Sequence, residues 1–171
     1  MDALVDVTEE ERHWLLHNIA RGFTDYLRVY WPPVWVEQIF ESPPRTYLDV
    51  YSRMVKLSNL FPEFHDRRCR EALSSARHVE FSLEQRRFIM AREALVIVAA
   101  SEHGRFIGLP EVLPEHLQES QDYFARVLLA PDRLIASYRS QGGDLRGFAE
   151  RFLIPPPIAE IRWNDPILAE G

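Results

Sequence analysis

From Ile89 to Ser101 the sequence reads IMAREALVIVAAS, and this run constrains the fold more than any other segment. Ser82 followed by Gln85 has the capping-box pattern, in which a hydroxyl and a side-chain carbonyl three residues apart satisfy two free backbone N–H groups. That pattern opens a helix at Leu83 running to about His103, with Gly104 as its C-terminal stop. A helix that is apolar on nearly every side must be surrounded by other elements, so this one is expected at the centre of the fold. The charges in the apolar run are the neighbours Arg92 and Glu93. Burying a charge is costly unless it is paired, so these two require partners or an aqueous cavity. They mark the first place to look for a site.

The remaining elements are legible as helices separated by proline and glycine. Thr8 and Glu11 form another capping box, and Trp14, Leu15, Ile19, Phe23, Tyr26, Leu27 and Tyr30 recur at helical spacing until Trp31-Pro32-Pro33. Val34 to Phe40 reads as one or two helical turns closed by Ser42-Pro43-Pro44. Thr46 to Leu60 reads as a helix with Leu48, Tyr51, Val55 and Leu57 inward. In the polar helix expected over Glu63 to Ala76, Arg67, Arg68 and Arg70, with Arg77 just beyond, alternate with acids, which is the pattern of a solvated face. His78 to Phe81 alternates polar and apolar, as a short strand does. After a loop, GRFIGLPEVLP, the pattern gives a helix from Glu115 to Ala130, a turn over Leu134 to Tyr138, and a helix capped by Asp144 that ends at Phe152. Pro155-Pro156-Pro157 then separates a terminal stretch, Ile158 to Trp163. The expectation is a mainly α fold, with an α+β fold of one or a few short strands as the alternative, in one compact domain over residues 1–171.

Composition bounds the function. At 171 residues the chain can bury roughly 70% of its unfolded surface, enough for a core without staples. A single cysteine, Cys69, excludes an internal disulfide framework and a thiolate zinc cluster. Uncharged apolar runs such as Ala94 to Ser101 fall far short of the roughly 20 residues of a membrane span. The acidic opening MDALVDVTEEERHW lacks the basic and apolar regions of a secretory signal, so a cytoplasmic protein is expected. Net charge is −6, a poor balance for binding the phosphate backbone, so nucleic acid is not expected as a direct partner. Every base but Lys56 is arginine, and nothing around Lys56 suggests a catalytic pocket.

Three segments together, QRRFIMAREALV, YFARVLLAP and LRGFAERF, resemble the ImmA/IrrE family of small metallopeptidase-like proteins. That family carries an RF-x-x-AHE-x-x-H helix, then an E-A-N-x-F-A-x-x-LL-x-P helix, then a segment like LA-x-x-F-x-V. The matching positions are Arg87, Phe88, Ala91 and Glu93, then Phe124, Ala125, Leu128, Leu129 and Pro131, then Leu145, Ala149 and Phe152. PPVWVEQI also looks like the family's entry to the domain. The resemblance implies an N-terminal helix over 1–32 and a family-like region over about 33–163 with a degenerate zincin-like helical core; residues 45–80 match nothing in the family pattern.

The departures from that pattern decide what it implies. Two histidines one helical turn apart hold the zinc in such a site, and an intervening Glu polarises water. Here the first histidine position is Arg92 and the second is Val96; the third ligand, a Glu, aligns with Ser120 and the Asn with Asp122. The general-base position, Glu93, is retained. The resemblance therefore implies a protein that has lost the zinc site, needs no cofactor, and works by binding. Since active members act on helix-turn-helix repressors, the implied partner is such a regulator or a sibling subunit. Arg92 is expected to join Glu93 and either Glu119 or Asp122 in a network that replaces the metal, with Arg126 as a second cation. The plain outcome is an ion pair holding two helices together; the functional one is a pocket for a small anion or carboxylate, bound by the guanidinium fork. The alternative is an enzyme of altered, metal-free chemistry using Glu93 as base with Arg92 or Arg126 as electrostatic stabiliser.

Other templates are weak. Glu102-His103 and the His116/Glu119 pair could converge as a relocated metal site, though each reads more simply as surface or helix-end chemistry. His13 and His17 have metal-pair spacing and are expected to be exposed. No phosphate loop, G-x-S-x-G or H-E-x-x-H occurs, and Cys69 has no identifiable His partner. Trp14, Trp31, Trp35 and Trp163 fit either a core cluster or an interface.

Overall fold

A computed structural model describes residues 7–50 and 81–168. The described residues are mainly helical and contain no strand, so the α+β alternative finds no support among them. None of these helices is long and apolar enough to cross a membrane.

Helix α1, Glu9–Tyr26, starts at the expected capping box: Glu11 N donates to Thr8 Oγ1 (3.2 Å), and Thr8 N donates to the Glu11 carboxylate (2.9 Å). It ends a turn before the prolines. Arg28 takes a left-handed conformation (φ 51°), its N–H donates to Asp25 O (3.1 Å), and Val29 N donates to Thr24 O (3.0 Å). This closure reverses the chain at Val29, which is buried, and leaves Tyr30 and Trp31 exposed. Helix α2, Glu37–Glu41, follows, then a 3₁₀ segment over Arg45–Val50. Here the expected inward side is corrected. The three-residue spacing of a 3₁₀ turn buries Tyr47 and Val50 and leaves Leu48 exposed. The rest of the helix expected to Leu60 lies outside the described residues, as do the arginine-rich segment with Cys69 and His78 to Glu80 of the expected strand.

Helix α3, Leu83–Ala100, has the second capping box, with Gln85 N on Ser82 Oγ (3.2 Å) and Ser82 N on Gln85 Oε1 (2.8 Å). It stops at Ala100 rather than at His103. The Ser101 hydroxyl donates to Val98 O (2.6 Å) and accepts from Gly104 N (2.9 Å), so one side chain ends α3 and caps α4, Glu102–Phe106. Gly104 is therefore not the stop; it lies inside α4, where a Cβ would sit 2.8 Å from Ala99 Cα and closer still to the Val98 carbonyl oxygen. The expected loop up to Pro114 is instead α4, α5 (Leu109–Val112) and a 3₁₀ turn, Pro114–His116. Pro110 and Pro114 fall in first turns, where a missing N–H has no helical acceptor to lose.

Four more helices complete the described fold: α6, Leu117–Leu129; α7, Asp132–Ser140; α8, Leu145–Phe152; and α9, Pro156–Asn164. Pro156 and Pro157 open α9 rather than separating it, for the same reason as Pro110. Helix α6 packs extensively on both α3 and α1 and also meets α9. Its Phe124, Ala125, Leu128 and Leu129 are fully buried, as are Ala91, Ala94, Leu95 and Val98 of α3. The centre is thus shared by two helices, and α3 keeps an open edge at Val96. Phe148, Phe152, Tyr138 and Trp163 form an aromatic cluster where α7, α8 and α9 meet.

Two of the helical glycines, Gly22 and Gly104, should respond oppositely to alanine. Gly22 has nothing within 4 Å of an added Cβ, so Gly22→Ala should gain about 0.5–1 kcal/mol. Gly104→Ala forces the α3–α4 corner apart and should lose about 1–3 kcal/mol or more. Urea unfolding of the two variants checks both signs.

Candidate functional site

The charged residues of α6 lie on one stripe. Glu119, Asp122 and Arg126, spaced three and four residues apart, project from the face left over after the helix has buried its other sides against α1 and α3. Each turns to a different element. Asp122 takes Arg92 of α3, with Arg92 Nε 2.8 Å from Asp122 Oδ1. Gln121 Nε2 also donates to the Arg92 carbonyl (3.3 Å). Arg126 turns to Asp165, beyond α9, with Nε at 2.6 Å from Oδ2 and Nη2 at 3.4 Å from Oδ1. Glu119 turns to α1: its Oε2 accepts from Arg12 Nη2 (3.2 Å), and its Oε1 lies 3.7 Å from His13 Nε2.

This arrangement places the residues expected around Arg92. Of the two acids offered to Arg92, Asp122 is its partner and Glu119 faces the other way. The Arg92–Asp122 pair is partly exposed on both sides, so it holds the two helices in register at little net energy, about 0–1 kcal/mol. Glu93 is half-buried, Val96 is exposed one turn beyond Arg92, and Ser120 is fully buried with its hydroxyl unbonded. Arg92 and Arg126 each have their own carboxylate, and neither lines the cavity beside α1 or the groove between α1 and α2. The relocated metal site does not assemble. Glu102 is exposed with its N–H on Asp49 (2.8 Å), and His103 sits edge-on to Tyr47 at 5.8 Å. His116 does approach Glu119, Nδ1 to Oε2 at 3.8 Å.

His13 and His17 are not free surface residues, which corrects the expectation of exposure. Burial lowers both below the ordinary imidazole value, outweighing the nearby carboxylates. Nor do they act as a pair, because each faces a different acid. The His13 ring stacks flat on Tyr123, centroids 3.8 Å apart and 4° from parallel, beside Glu9 and Glu119. His17 Nε2 lies 3.6 Å from Asp132 Oδ2.

Asp132 belongs to a buried network that the sequence reading missed. Arg162, 1% exposed, donates through Nε to Ala130 O (2.9 Å) and through Nη2 to Asp132 Oδ1, and its Nη1 lies 3.8 Å from Asp165. Asp132 Oδ2 also accepts from Leu168 N (2.8 Å). The chain of polar side chains Arg126–Asp165–Arg162–Asp132–His17 thus ties α6, α9, α7 and α1 together. An available signal was Arg162 standing between Ile161 and Trp163, a base inside an apolar stretch. Its acid, thirty residues earlier, had none. Beside this network, Trp14, His17, Arg21, Asp132, Arg133 and Leu168 help line a cavity of about 340 Å³.

Compared with family models, curated proteins and solved structures, the chain matches none.

Removing the acid leaves a buried guanidinium uncompensated, so Asp132→Ala should cost about 3–5 kcal/mol in urea unfolding. His17 gives a pH signature. Burial is the largest influence on it; Asp132 pulls the other way, while Arg162 and Arg21 side with burial. With a folded pKa below the unfolded value of about 6.5, stability present above that value is lost as pH falls towards the folded pKa. Tm measured from pH 7 to pH 5 should therefore fall more steeply for the wild type than for His17→Gln.

Proposed function

We propose that this chain is a non-catalytic, ImmA/IrrE-like protein that works by binding a protein partner, a helix-turn-helix transcriptional regulator. The observation that carries the binding half is an exposed aromatic patch where α1 reverses into α2. Trp31 is 77% exposed, Tyr30 65% and Trp35 52%, and with Arg28, Pro32 and Gln38 they border a groove of about 250 Å³. Aromatic side chains with two rotatable bonds, held beside prolines, offer contact area at low ordering cost, and Trp and Tyr dominate binding hot spots. Trp35 is further steadied by the guanidinium of buried Arg87, 5.2 Å from its ring centre, which donates to the Val34 carbonyl.

The non-catalytic half rests on chemistry at the matched positions. Arg92 cannot ligate zinc, Val96 has no donor atom, and Arg92 is engaged with Asp122. The regulator is favoured by charge as well as by resemblance. A chain at −6 suits a partner with the basic surface that DNA binding demands, and complementary charge speeds encounter and selects partners. The retained order of the three motif segments supports the family reading.

The test is a panel of helix-turn-helix regulators from the same organism, incubated with the purified chain and zinc and followed by size exclusion and mass spectrometry. A complex should form with a regulator that stays full length. Trp31→Ala should weaken it about tenfold or more while shifting stability by less than about 0.5 kcal/mol. Cleavage of the regulator, or no complex with any member, would overturn the proposal.

A further inference from the structure

We propose that Glu9, His13 and Glu119 form a binding site for a divalent transition-metal ion, with zinc as the best chemical match. The three residues come from two helices. Glu9 and His13 are one turn apart on α1, which puts both side chains on one face, and Glu119 meets them from α6. His13 Nε2 lies 3.9 Å from Glu9 Oε1 and 3.7 Å from Glu119 Oε1, and the three donor atoms all fall within 4.8 Å of one another.

Two of these separations run through His13 Nε2. They are too long for hydrogen bonds, and His13 Nε2 is a buried nitrogen with no hydrogen-bond partner although two carboxylates converge on it. They are close to what a shared ion imposes. Bonds of about 2.0–2.1 Å in a tetrahedral site place neighbouring donors about 3.4 Å apart. The pairs through His13 need to draw in by about half an ångström or less. The donor set is one imidazole and two carboxylates, which favours zinc over the all-oxygen ions magnesium and calcium.

The groups around the three donors are already set as supports. Arg12 binds Oε2 of Glu119 and leaves Oε1 turned to His13, so the ligating carboxylate is oriented and half neutralised from behind. Tyr123 stacks on the imidazole and fixes its plane. His116 approaches the Oε2 side, outside the three donors. Three protein donors leave a position for water, and an ion there would staple α1 to α6. None of this uses Arg92, Val96 or Ser120, so it is separate from the family's metal positions and independent of the proposed function.

The test is calorimetric titration of the untagged, chelator-stripped chain with zinc chloride, together with cobalt chloride followed by visible absorption. We expect one ion per chain, a rise in Tm on adding zinc, and about 10-fold to 100-fold weaker binding in His13→Ala and in Glu119→Gln. Because Glu119 also holds Arg12, Glu9→Gln, an exposed change, gives the same readout without that risk. His103→Ala should bind within about twofold of the wild type. No binding up to about 100 μM zinc overturns the assignment, as does undiminished binding by both His13→Ala and Glu9→Gln.

Discussion

Helix α6 is buried against α1 on one side and α3 on the other, and the rest of the described structure follows from that double contact. A helix covered this way keeps a narrow strip for polar side chains. The strip holds Glu119, Asp122 and Arg126, and no two of them share a partner. One acid binds α1, one binds α3, and the arginine reaches the turn after α9. Apolar burial, at about 25 cal/mol per Å², supplies the energy of these contacts and has no direction. The three ion pairs add direction, because sliding any neighbouring helix along α6 would leave a charge without its partner.

Local chemistry made much of this legible in the sequence. Both capping boxes begin their helices at the expected residue because the pattern is complete within four residues, Thr8 to Glu11 and Ser82 to Gln85. The α8 boundaries were legible for the same reason, from Asp144 to Phe152. Where the outcome depended on tertiary contact, reading failed. Gly104 looks like a stop because glycine so often ends helices, yet it is selected by the close approach of the α3 carboxyl end. The first helix carries an apolar spacing to Tyr30, but burying Val29 against the body requires the chain to turn at Arg28. At the site, the pairing of Arg92 with an acid of α6 was anticipated in kind, whereas the choice of Asp122 over Glu119 was settled by Arg12 and His13, on a helix given no role.

Three arginines show what this side chain does in the interior. Arg12, Arg87 and Arg162 are almost fully buried, and each bridges elements far apart in sequence. Arg162 spans a backbone carbonyl and a carboxylate at once, and Arg87 reaches Val34 while facing Trp35. A planar fork with five donors and weak hydration suits such positions, whereas an ammonium group would lose more solvation for fewer directed bonds.

The same geometry bears on where recognition can occur. Helices α3 and α6, which pack on each other, bury small and apolar side chains, among them Ala91, Ala94, Leu95, Ala125 and Leu128. Along these two helices, Ser120 is sealed inside and Val96 is open to solvent. The seam is committed to packing, and the chemistry that remains accessible is carried by the first helix and the segment leaving it. One end of that helix sets His13 between two carboxylates; the chain beyond its other end presents Tyr30 and Trp31. A sequence read through its motif helices treats residues 1–32 as a preface. In the folded chain that preface supplies Glu9 and His13 to the cluster that Glu119 of α6 completes, and Tyr30 and Trp31 to the aromatic patch that Trp35 extends, while α3 and α6 form the packed body behind them.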